Sequence, residues 1–474
     1  MISVTSAACA CKVHCRRSRT HTSLDALSET FSSLPASAIL GGNPAKADAD
    51  GFSYWAAEPR HVFEFTVAQT DPFPKLQKIL SRHKLPDPSR CELPLPGMFC
   101  GGWIGYFGYE LGRYIERLPE KAVDDLHLPL IRLCFYDRVI AYDHHSDTFW
   151  MIALELPDDL EKPAEKMAAL ERYLDQSRQV RVPPCARADL EAVDAVGVRR
   201  NMTRGDYLDA VKRIKRYIRD GDIYQANFSH RFEQPFAGRP AHLFHWQNRF
   251  NPSGYAAYLD AGDFQIVSAS PEMFVTIRDD VIETKPIKGT RPRLTASDPA
   301  TARINEQQCH ELLTSEKEQA ELNMIIDLER NDVARICKPG TRHVVQPRTI
   351  EAYPSVFHAV ATIAGELRDD VTFTDVLKAM FPGGSITGAP KIRSMEIIDE
   401  LEPTARGVYT GAIGYLGVDG TVCLNIAIRT VIITGGRAFV QTGGGIVADS
   451  EPQAEWDETI TKARALLAGL NAVA

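Results

Sequence analysis

The stretch GGWIGYFGYELGRYIERLP, residues 101–119, interleaves five aromatic side chains with five glycines. Aromatic side chains bury large apolar areas, and glycines let neighbouring backbones approach closely. The stretch therefore predicts a tightly packed core segment. Around it, strand-like runs, turn glycines and helical periods follow one another without a regular β-α-β order. This mixture predicts an α+β fold with large, mostly antiparallel sheets flanked by helices.

Composition divides the 474 residues into parts. The N-terminus is rich in Ser, Ala and Arg without a sustained period, which is typical of a disordered extension. A later stretch with prolines and mixed charges is typical of a linker. We therefore predict a disordered extension (1–30), an N-terminal subregion (31–180), a linker (181–201) and a larger C-terminal region (202–474).

The overall balance of residues excludes several classes of protein. Hydrophobic residues make up 44% and charged residues 24%, and the net charge is −8. A soluble globular protein is expected, without the basic surface that nucleic acid binding requires. No uncharged apolar run reaches the ~18–20 residues of a membrane helix. The ten cysteines lack C-x-x-C and zinc spacings, which favours reduced thiols in the cytoplasm.

Two helical segments each carry a pair of acids three residues apart. On a helical wheel, Glu318 and Glu321 fall within the apolar arc of residues 315–332. Near the C-terminus, Glu455 and Glu458 share a face with Lys462 and Leu466. Buried carboxylates are costly without a partner, and four convergent oxygen donors suit Mg²⁺. The alternative is that these acids form salt bridges or lie on solvated faces.

Two glycine-rich stretches predict close approach of a ligand to the backbone. Gly383 and Gly388 have the spacing of a phosphate loop, but the Lys-Ser/Thr that should follow is absent. Pro390 instead suits the first position of a helix, whose amides bind anions. The second stretch, Gly443–Gly445, follows a strand-like run. Arg429, on another strand-like run, pairs either with an acid or with a substrate carboxylate. Together these features describe a site for a small dianion.

Nine segments in this order resemble the chorismate-binding enzyme family, which includes the large subunits of anthranilate synthase and aminodeoxychorismate synthase, isochorismate synthases and salicylate synthases. The resemblance runs from about residue 100 to residue 467 and places the catalytic region at 202–474. The segments are GGWIGYFGYELG, GDIYQANFSHRF, SPEMFV, PIKGTRPR, SEKEQAELNMIIDLERND, FPGGSITGAPKIRSMEIIDELEP, RGVYTGAIGYLG, NIAIRTV and GGGIVADSEPQAEWDET.

The resemblance implies a role for each matching position. Glu272 corresponds to the general acid that protonates the departing C4 hydroxyl of chorismate. Glu318, Glu321, Glu455 and Glu458 correspond to the acids of a magnesium site. The pyruvyl carboxylate would be held by Tyr409, Arg429, Gly443, Gly444 and Gly445. The other positions that would line the site are His358, Ser385, Thr387 and Lys462.

Lys288 in PIKGT distinguishes branches of the family. Anthranilate synthases and the members that use water carry alanine here, whereas the lysine form resembles the aminodeoxychorismate synthases. The implied route is covalent: Lys288 adds at C2, Glu272 protonates the leaving hydroxyl, and ammonia adds at C4 and expels the lysine. The product would be 4-amino-4-deoxychorismate, for 4-aminobenzoate and folate synthesis. A neutral amine must attack, so we expect a depressed pKa for Lys288.

Gln225 also favours an ammonia user, because the members that activate water carry a lysine base there. The sequence contains no recognisable glutaminase segment, so the resemblance implies a separate glutamine amidotransferase partner. Two alternatives stay open: an anthranilate synthase large subunit and a non-catalytic carboxylate-binding regulator.

The stretch Ala38–Gly42 bears on regulation. Related large subunits often carry Leu-Leu-Glu/Asp-Ser here, which helps to bind tryptophan away from the active site. Gly41 and Gly42 occupy the places of the acid and the serine. We therefore expect that tryptophan does not bind tightly.

Overall fold

The computed structural model describes residues 11–42, 51–67, 69–85, 93, 95–187, 197–294, 298–353 and 356–474. This part of the chain forms ten α-helices and 22 strands. The helices are α1 (Leu24–Ser32), α2 (Phe73–Arg82), α3 (Pro163–Ser177), α4 (Arg204–Arg219), α5 (Pro240–Phe250), α6 (Pro299–Thr314), α7 (Glu316–Ala334), α8 (Phe373–Met380), α9 (Lys391–Leu401) and α10 (Pro452–Val473). The strands are β1 (Lys12–Arg17), β2 (Ala38–Leu40), β3 (Phe52–Ala56), β4 (His61–Phe65), β5 (Gly102–Phe107), β6 (Ile131–Tyr136), β7 (Arg138–Asp143), β8 (Thr148–Glu155), β9 (Arg199–Arg200), β10 (Gln225–Pro235), β11 (Tyr255–Asp260), β12 (Phe264–Ser270), β13 (Met273–Arg278), β14 (Val281–Lys285), β15 (Ile287–Pro292), β16 (His343–Ala352), β17 (Val356–Glu366), β18 (Gly388–Ala389), β19 (Ala412–Gly417), β20 (Val422–Ile426), β21 (Thr430–Thr434) and β22 (Arg437–Ile446).

Two large sheets organise the molecule. The first sheet has twelve strands, in the order β1-β8-β7-β3-β2-β11-β12-β21-β22-β10-β18, with β9 beside β10. The second sheet has ten strands, in the order β15-β17-β14-β13-β20-β19-β5-β6-β4, with β16 beside β17. Neighbouring strands such as β10 and β22 or β13 and β14 run antiparallel. The predicted α+β fold with large antiparallel sheets is confirmed.

The two sheets pack face to face, and helices cover their outer faces. Alternate side chains of one strand point to opposite faces, so Ile104 joins the core between the sheets while Trp103 joins the core under the helices. The helices over the first sheet are α1, α3, α5 and α10. Those over the second sheet are α2, α7, α8 and α9.

The opening stretch forms β5, between β6 and β19. A side chain at Gly105 would place its Cβ 1.9 Å from the carbonyl oxygen of Arg132, so no larger residue fits. The predicted close packing is confirmed. Strands from the N-terminal subregion also pair with strands from the C-terminal region, as β2 does with β11. The two predicted regions therefore share both sheets.

The prediction of a disordered extension at residues 1–30 is wrong for residues 11–30. The strand β1 pairs with β8 over six residues, and Ser23 caps α1 by accepting a hydrogen bond from the amide of Ala26. Leu27 and Phe31 are buried. The sequence of β1 indicates a strand only weakly, because its alternating pattern consists of just Val13 and Cys15 between polar residues. Residues 1–10 lie outside the described residues.

Other local predictions can be compared with the structure. Of the predicted linker, residues 181–187 have no regular structure, residues 188–196 lie outside the described residues, and β9 occupies its end. Pro390 is the N-cap of α9 rather than its first helical residue.

Within the described ranges, we find no helix that combines the length and apolarity needed to span a membrane.

Candidate active site

Lys288 lies on β15 and points toward a short 3-10 turn, Gly384–Ile386. Its Nζ donates a hydrogen bond to the carbonyl oxygen of Ser385 at 3.0 Å. Burial lowers the pKa of the Lys288 amine, although the carboxyl of Glu272 opposes this shift. Because Lys288 lies on a strand, the backbone fixes the direction of its side chain.

Glu272 immediately precedes β13 and is 4% exposed. Its Oε1 accepts a hydrogen bond from the amide of Ile287 at 3.2 Å, so the backbone beside Lys288 holds the acid. Burial raises the pKa of Glu272, while Lys288 and a hydrogen bond with Ser385 lower it. Burial thus shifts the two pKa values in opposite directions, toward the neutral amine and the protonated carboxyl.

Arg429 does not lie on a strand, contrary to the prediction. It lies between β20 and β21 with a φ of 50°. Burial lowers the pKa of its guanidinium, whereas Tyr353 and Glu272 raise it. Within the described residues its side chain has no hydrogen-bonded acid, so its donors remain available to a ligand carboxylate.

His358 lies on β17 and is 2% exposed. It interacts electrostatically with Arg429. The ring Nδ1 lies 2.9 Å from the hydroxyl of Thr290, and Nε2 has no hydrogen-bond partner in the described part of the chain. Burial and the positive charge of Arg429 lower the pKa of His358 to about 3. The imidazole is therefore neutral at physiological pH.

The glycine run Gly443–Gly445 lies within β22, opposite β10, and not after a strand as the sequence indicated. A Cβ at Gly445 would be 2.1 Å from the side-chain nitrogen of Gln225. Gln225 is 1% exposed, and both polar atoms of its side chain lack hydrogen-bond partners among the described residues. Because buried amides normally have partners, this pair of atoms points to a ligand.

The four predicted metal ligands occupy two helices that border the site. On α7, Glu318 accepts a hydrogen bond from Arg291 at 2.7 Å through Oε1, while its Oε2 is buried without a described partner. Glu321 interacts electrostatically with Lys288. Glu318 thus faces inward, as predicted.

On α10, Glu455 is buried but Glu458 is exposed, which corrects the prediction that both acids of this pair face inward. Lys462 Nζ lies 2.7 Å from Glu458, and the side chains are 42% and 54% exposed, respectively. Lys462 also donates to the carbonyl oxygen of Gly443 at 2.8 Å. A Cβ at Gly444 would lie 3.2 Å from Glu455 and 3.8 Å from Glu458, so both acids border the bare backbone there.

The four acids do not by themselves form a complete metal site. In the described ranges, no three His, Cys, Asp or Glu side chains meet as a possible metal cluster. The four side chains nevertheless suit a hard cation, because all are carboxylates. One buried oxygen of Glu318 also lacks a hydrogen-bond partner among the described residues.

The remaining predicted residues have different surroundings. The hydroxyl of Ser385 bonds to Glu272. The hydroxyl of Thr387 donates to Gly383 at 3.0 Å and so closes the turn. The ring of Tyr409 lies 5.8 Å from the guanidinium carbon of Arg406, and in the described residues no contact joins Tyr409 to Lys288.

Sequence analysis missed a further buried acid, Glu329 on α7, which is 4% exposed. Glu329 follows Leu322 by seven residues, which is close to two helical turns, so it lies on the same apolar face. The helical wheel of residues 315–332 already contains this position, so the signal was present in the sequence.

Comparison with known proteins finds enzymes of one family at the level of sequence and of structure. Residues 44–468 match the family described as chorismate binding enzyme. Aminodeoxychorismate synthase component 1 of Bacillus subtilis (strain 168) is 40% identical over 368 residues, covering 78% of this chain and 76% of the relative. Anthranilate synthase component 1 of Pseudomonas putida is also 40% identical, over 402 residues that cover 84% and 79% of the two chains. Among solved structures, anthranilate synthase component I from Streptococcus pneumoniae TIGR4 superposes with a TM-score of 0.76 at 32% identity, covering 89% of this chain and 93% of the other.

Proposed function

The chain belongs to the chorismate binding enzyme family, and on this premise we propose that it aminates chorismate at C4 to give 4-amino-4-deoxychorismate. The observation that carries the proposal is the pair formed by Lys288 and Glu272. Burial favours the neutral amine and the protonated carboxyl at the same time. A nucleophile and a general acid need these two protonation states.

The proposed reaction has two substitutions. The Lys288 nitrogen bonds to C2, the double bonds shift, and the C4–oxygen bond breaks as Glu272 gives its proton to the leaving hydroxyl. Ammonia then bonds to C4, the double bonds shift back, and the C2–nitrogen bond to Lys288 breaks. Water is the only by-product, and both side chains return to their starting state once a proton from the incoming ammonia reaches Glu272.

The substrate is a dianion, and the surroundings of Lys288 suit it. Arg429 offers a guanidinium without a hydrogen-bonded acid in the described residues, and Lys462 offers an ammonium next to the Gly443–Gly445 backbone. Gln225 offers both polar atoms of a buried amide. These groups support binding of two carboxylates and a hydroxyl.

Glu318, Glu321, Glu455 and Glu458 would hold Mg²⁺. When bound, the ion would neutralise negative charge of the substrate and of the four acids. The name "component 1" of the relatives also supports a second component. We propose that this partner is a glutamine amidotransferase that supplies ammonia.

A second candidate is the large subunit of anthranilate synthase. It is favoured by the equal identity, 40%, to a relative of that name. The two functions differ in the carbon that receives nitrogen and therefore in the product. Lys288 favours the first function, because a covalent lysine is useful only when nitrogen must reach C4.

The test is to supply the purified chain with chorismate, Mg²⁺ and an ammonium salt and to identify the product by chromatography and mass spectrometry. We expect 4-amino-4-deoxychorismate. Anthranilate would establish the second candidate, and no consumption of chorismate at any ammonium concentration would contradict both.

A further inference from the structure

A buried ion pair joins Arg406 to Glu402, and neither residue has a part in the proposed steps. The two side chains are 1% and 2% exposed. Glu402 is the C-cap of α9, and Arg406 lies in the segment between α9 and β19. Nε of Arg406 donates to one carboxylate oxygen at 2.9 Å, and Nη2 donates to the other at 2.7 Å. This two-point contact fixes the plane of the guanidinium.

The remaining guanidinium donors reach three other segments of the chain. Nη1 donates to the carbonyl oxygen of Ile386 at 3.0 Å and to the hydroxyl of Thr410 at 3.3 Å. Nη2 also donates to the carbonyl oxygen of Asn227, on β10, at 2.6 Å. All five N–H groups of Arg406 thus have acceptors, which is the full capacity of a guanidinium. A side chain held in this way fixes the relative position of the segments that it contacts.

The contact with Ile386 lies next to the acceptor of the Lys288 amine. Ile386 and Ser385 belong to the same 3-10 turn, and the carbonyl oxygen of Ser385 accepts a hydrogen bond from Lys288 Nζ. The turn is also held to β10, because the amide of Asn227 donates to the carbonyl oxygen of Thr387 at 2.8 Å. The guanidinium therefore anchors the turn that holds the Lys288 amine.

The carboxylate of the ion pair reaches the strand that faces the glycine run. Glu402 Oε1 accepts hydrogen bonds from the amide and the hydroxyl of Ser229, at 2.9 Å and 2.7 Å. Ser229 lies directly opposite Gly443 in the pairing of β10 with β22, and the carbonyl oxygen of Gly443 accepts from Lys462. One ion pair thus connects the side of the site that carries Lys288 with the side that carries Lys462 and the glycine run.

We propose that Arg406 and Glu402 are positioning residues that fix the distance between the Lys288 amine and the backbone that holds the substrate. The inference rests on the proposed function for the roles of Lys288 and of Gly443–Gly445. Arg406 does not touch the reacting atoms; it acts through the 3-10 turn and through β10. A nucleophile must lie within about 3–3.5 Å of the carbon that it attacks, and a displacement of about 1 Å can cost roughly a hundredfold in rate. Loss of the ion pair therefore slows the attack more than it weakens the binding of chorismate.

Arg406→Lys is the test variant, because lysine keeps the positive charge beside Glu402 but has three donors and no planar fork. Three donors cannot serve both oxygens of Glu402 and both backbone carbonyls at once. Turnover of chorismate is measured with saturating Mg²⁺ and ammonium. Calorimetry with chorismate and Mg²⁺, without ammonium, gives the stoichiometry and the Kd. We expect kcat to fall about ten- to a hundredfold, with wild-type stoichiometry and a Kd within about threefold of wild type.

Arg113→Lys is the matched control. Arg113 pairs with Asp399 on α9 at 2.8 Å, and among the described residues its side chain forms no hydrogen bond with the 3-10 turn or with β10. This variant should keep the wild-type kcat and Kd. Hydrogen–deuterium exchange without chorismate gives a second readout that does not depend on turnover. The peptides that contain Asn227 and residues 384–387 should exchange faster in Arg406→Lys and at the wild-type rate in the control, because the amide of Asn227 bonds to the turn.

A wild-type kcat in Arg406→Lys would overturn the proposal, and so would a loss of kcat that equals the loss of binding sites. Unchanged exchange around Asn227 would overturn it as well. If Arg406→Lys does not fold, Glu402→Gln combined with Arg406→Gln removes both charges and leaves neither buried alone. The same loss of kcat is then expected, and a wild-type kcat would contradict the proposal. Turnover is followed as consumption of chorismate whatever product forms, and the exchange measurement needs no product. A failure of the proposed amination would therefore appear in the wild type itself and not in the comparison of variants.

Discussion

At the scale of single residues, Lys288 differs from a surface lysine in its surroundings. The carbonyl oxygen of Ser385 accepts its hydrogen bond, and a carbonyl can accept equally well from a neutral amine. Among the described residues, no carboxylate forms a direct ion pair with the Nζ of Lys288. Burial can therefore depress the pKa of the amine, where a full ion pair would raise it.

Lys288→Ala should abolish amination while the fold persists. We expect a loss of about three orders of magnitude or more, as is seen when a catalytic nucleophile is removed. The measurement is ammonia-dependent product formation, with circular dichroism to verify folding. Lys285→Ala, at a neighbouring lysine paired with Glu351, is the matched control and should retain activity. In the wild type, intact-mass analysis during turnover should detect substrate attached to Lys288. Near-normal turnover of Lys288→Ala would exclude the covalent route.

At the scale of elements, the acids of α7 and α10 are already paired with cations, one from β15 and one from α10 itself. Arg291 pairs with Glu318, and Lys462 pairs with Glu458. Each cation compensates a carboxylate that Mg²⁺ would otherwise neutralise. An ion held by the four proposed ligands would have to compete with these contacts.

Glu318→Gln and Glu458→Gln should each weaken Mg²⁺ binding by about tenfold or more, as loss of a charged group at a metal site does. The affinity can be measured by calorimetry with Mg²⁺ and chorismate, alongside the Mg²⁺ dependence of activity. Glu316→Gln and Asp457→Asn, both exposed acids on the same two helices, serve as controls and should leave both quantities unchanged. Wild-type Mg²⁺ titrations for both site variants would show that the four acids do not form the metal site.

Helical periodicity could predict which face of a helix an acid occupies, but not what covers that face. It placed Glu318 and Glu455 correctly. It failed at Glu458, whose carboxylate lies beside the bare backbone of Gly444 and the ammonium of Lys462 and is 54% exposed. The strand β1 escaped detection for a related reason: its pairing with β8 depends on residues more than 130 positions away.

At the scale of the whole molecule, the two sheets enclose a second cleft apart from Lys288. Its volume is about 410 Å³. It lies between β2, β3 and β11 of the first sheet and β19 and β20 of the second. The lining includes Gly41, which the sequence placed at the tryptophan pocket of related large subunits. A pocket therefore exists where the family resemblance implied one, and its chemistry decides what can bind.

Tryptophan should not bind this cleft tightly. The described lining is aromatic, aliphatic or glycine apart from Cys423 and Asn425, and it contains no charged side chain. The amide of Asn425 already accepts from the Ile413 amide and donates to the carbonyl of Tyr255, each at 3.0 Å. The ammonium and carboxylate of an amino acid would therefore lose water without gaining a charged partner. A hydrogen bond to a charged group contributes about 1.5–3 kcal/mol, so its loss weakens binding about ten- to a hundredfold.

Gly41 also limits how the pocket could acquire an acid. Its φ is 79°, and a Cβ there would lie 2.5 Å from the hydroxyl of Ser53, so a glutamate or aspartate would displace that serine. Calorimetry of the full chain with tryptophan should show no binding at micromolar concentration. Indole is the matched ligand, because it keeps the ring and lacks both charges. If tryptophan bound at micromolar strength, charged groups outside the described lining would have to hold it, and the absence of a carboxylate at Gly41 would not govern recognition.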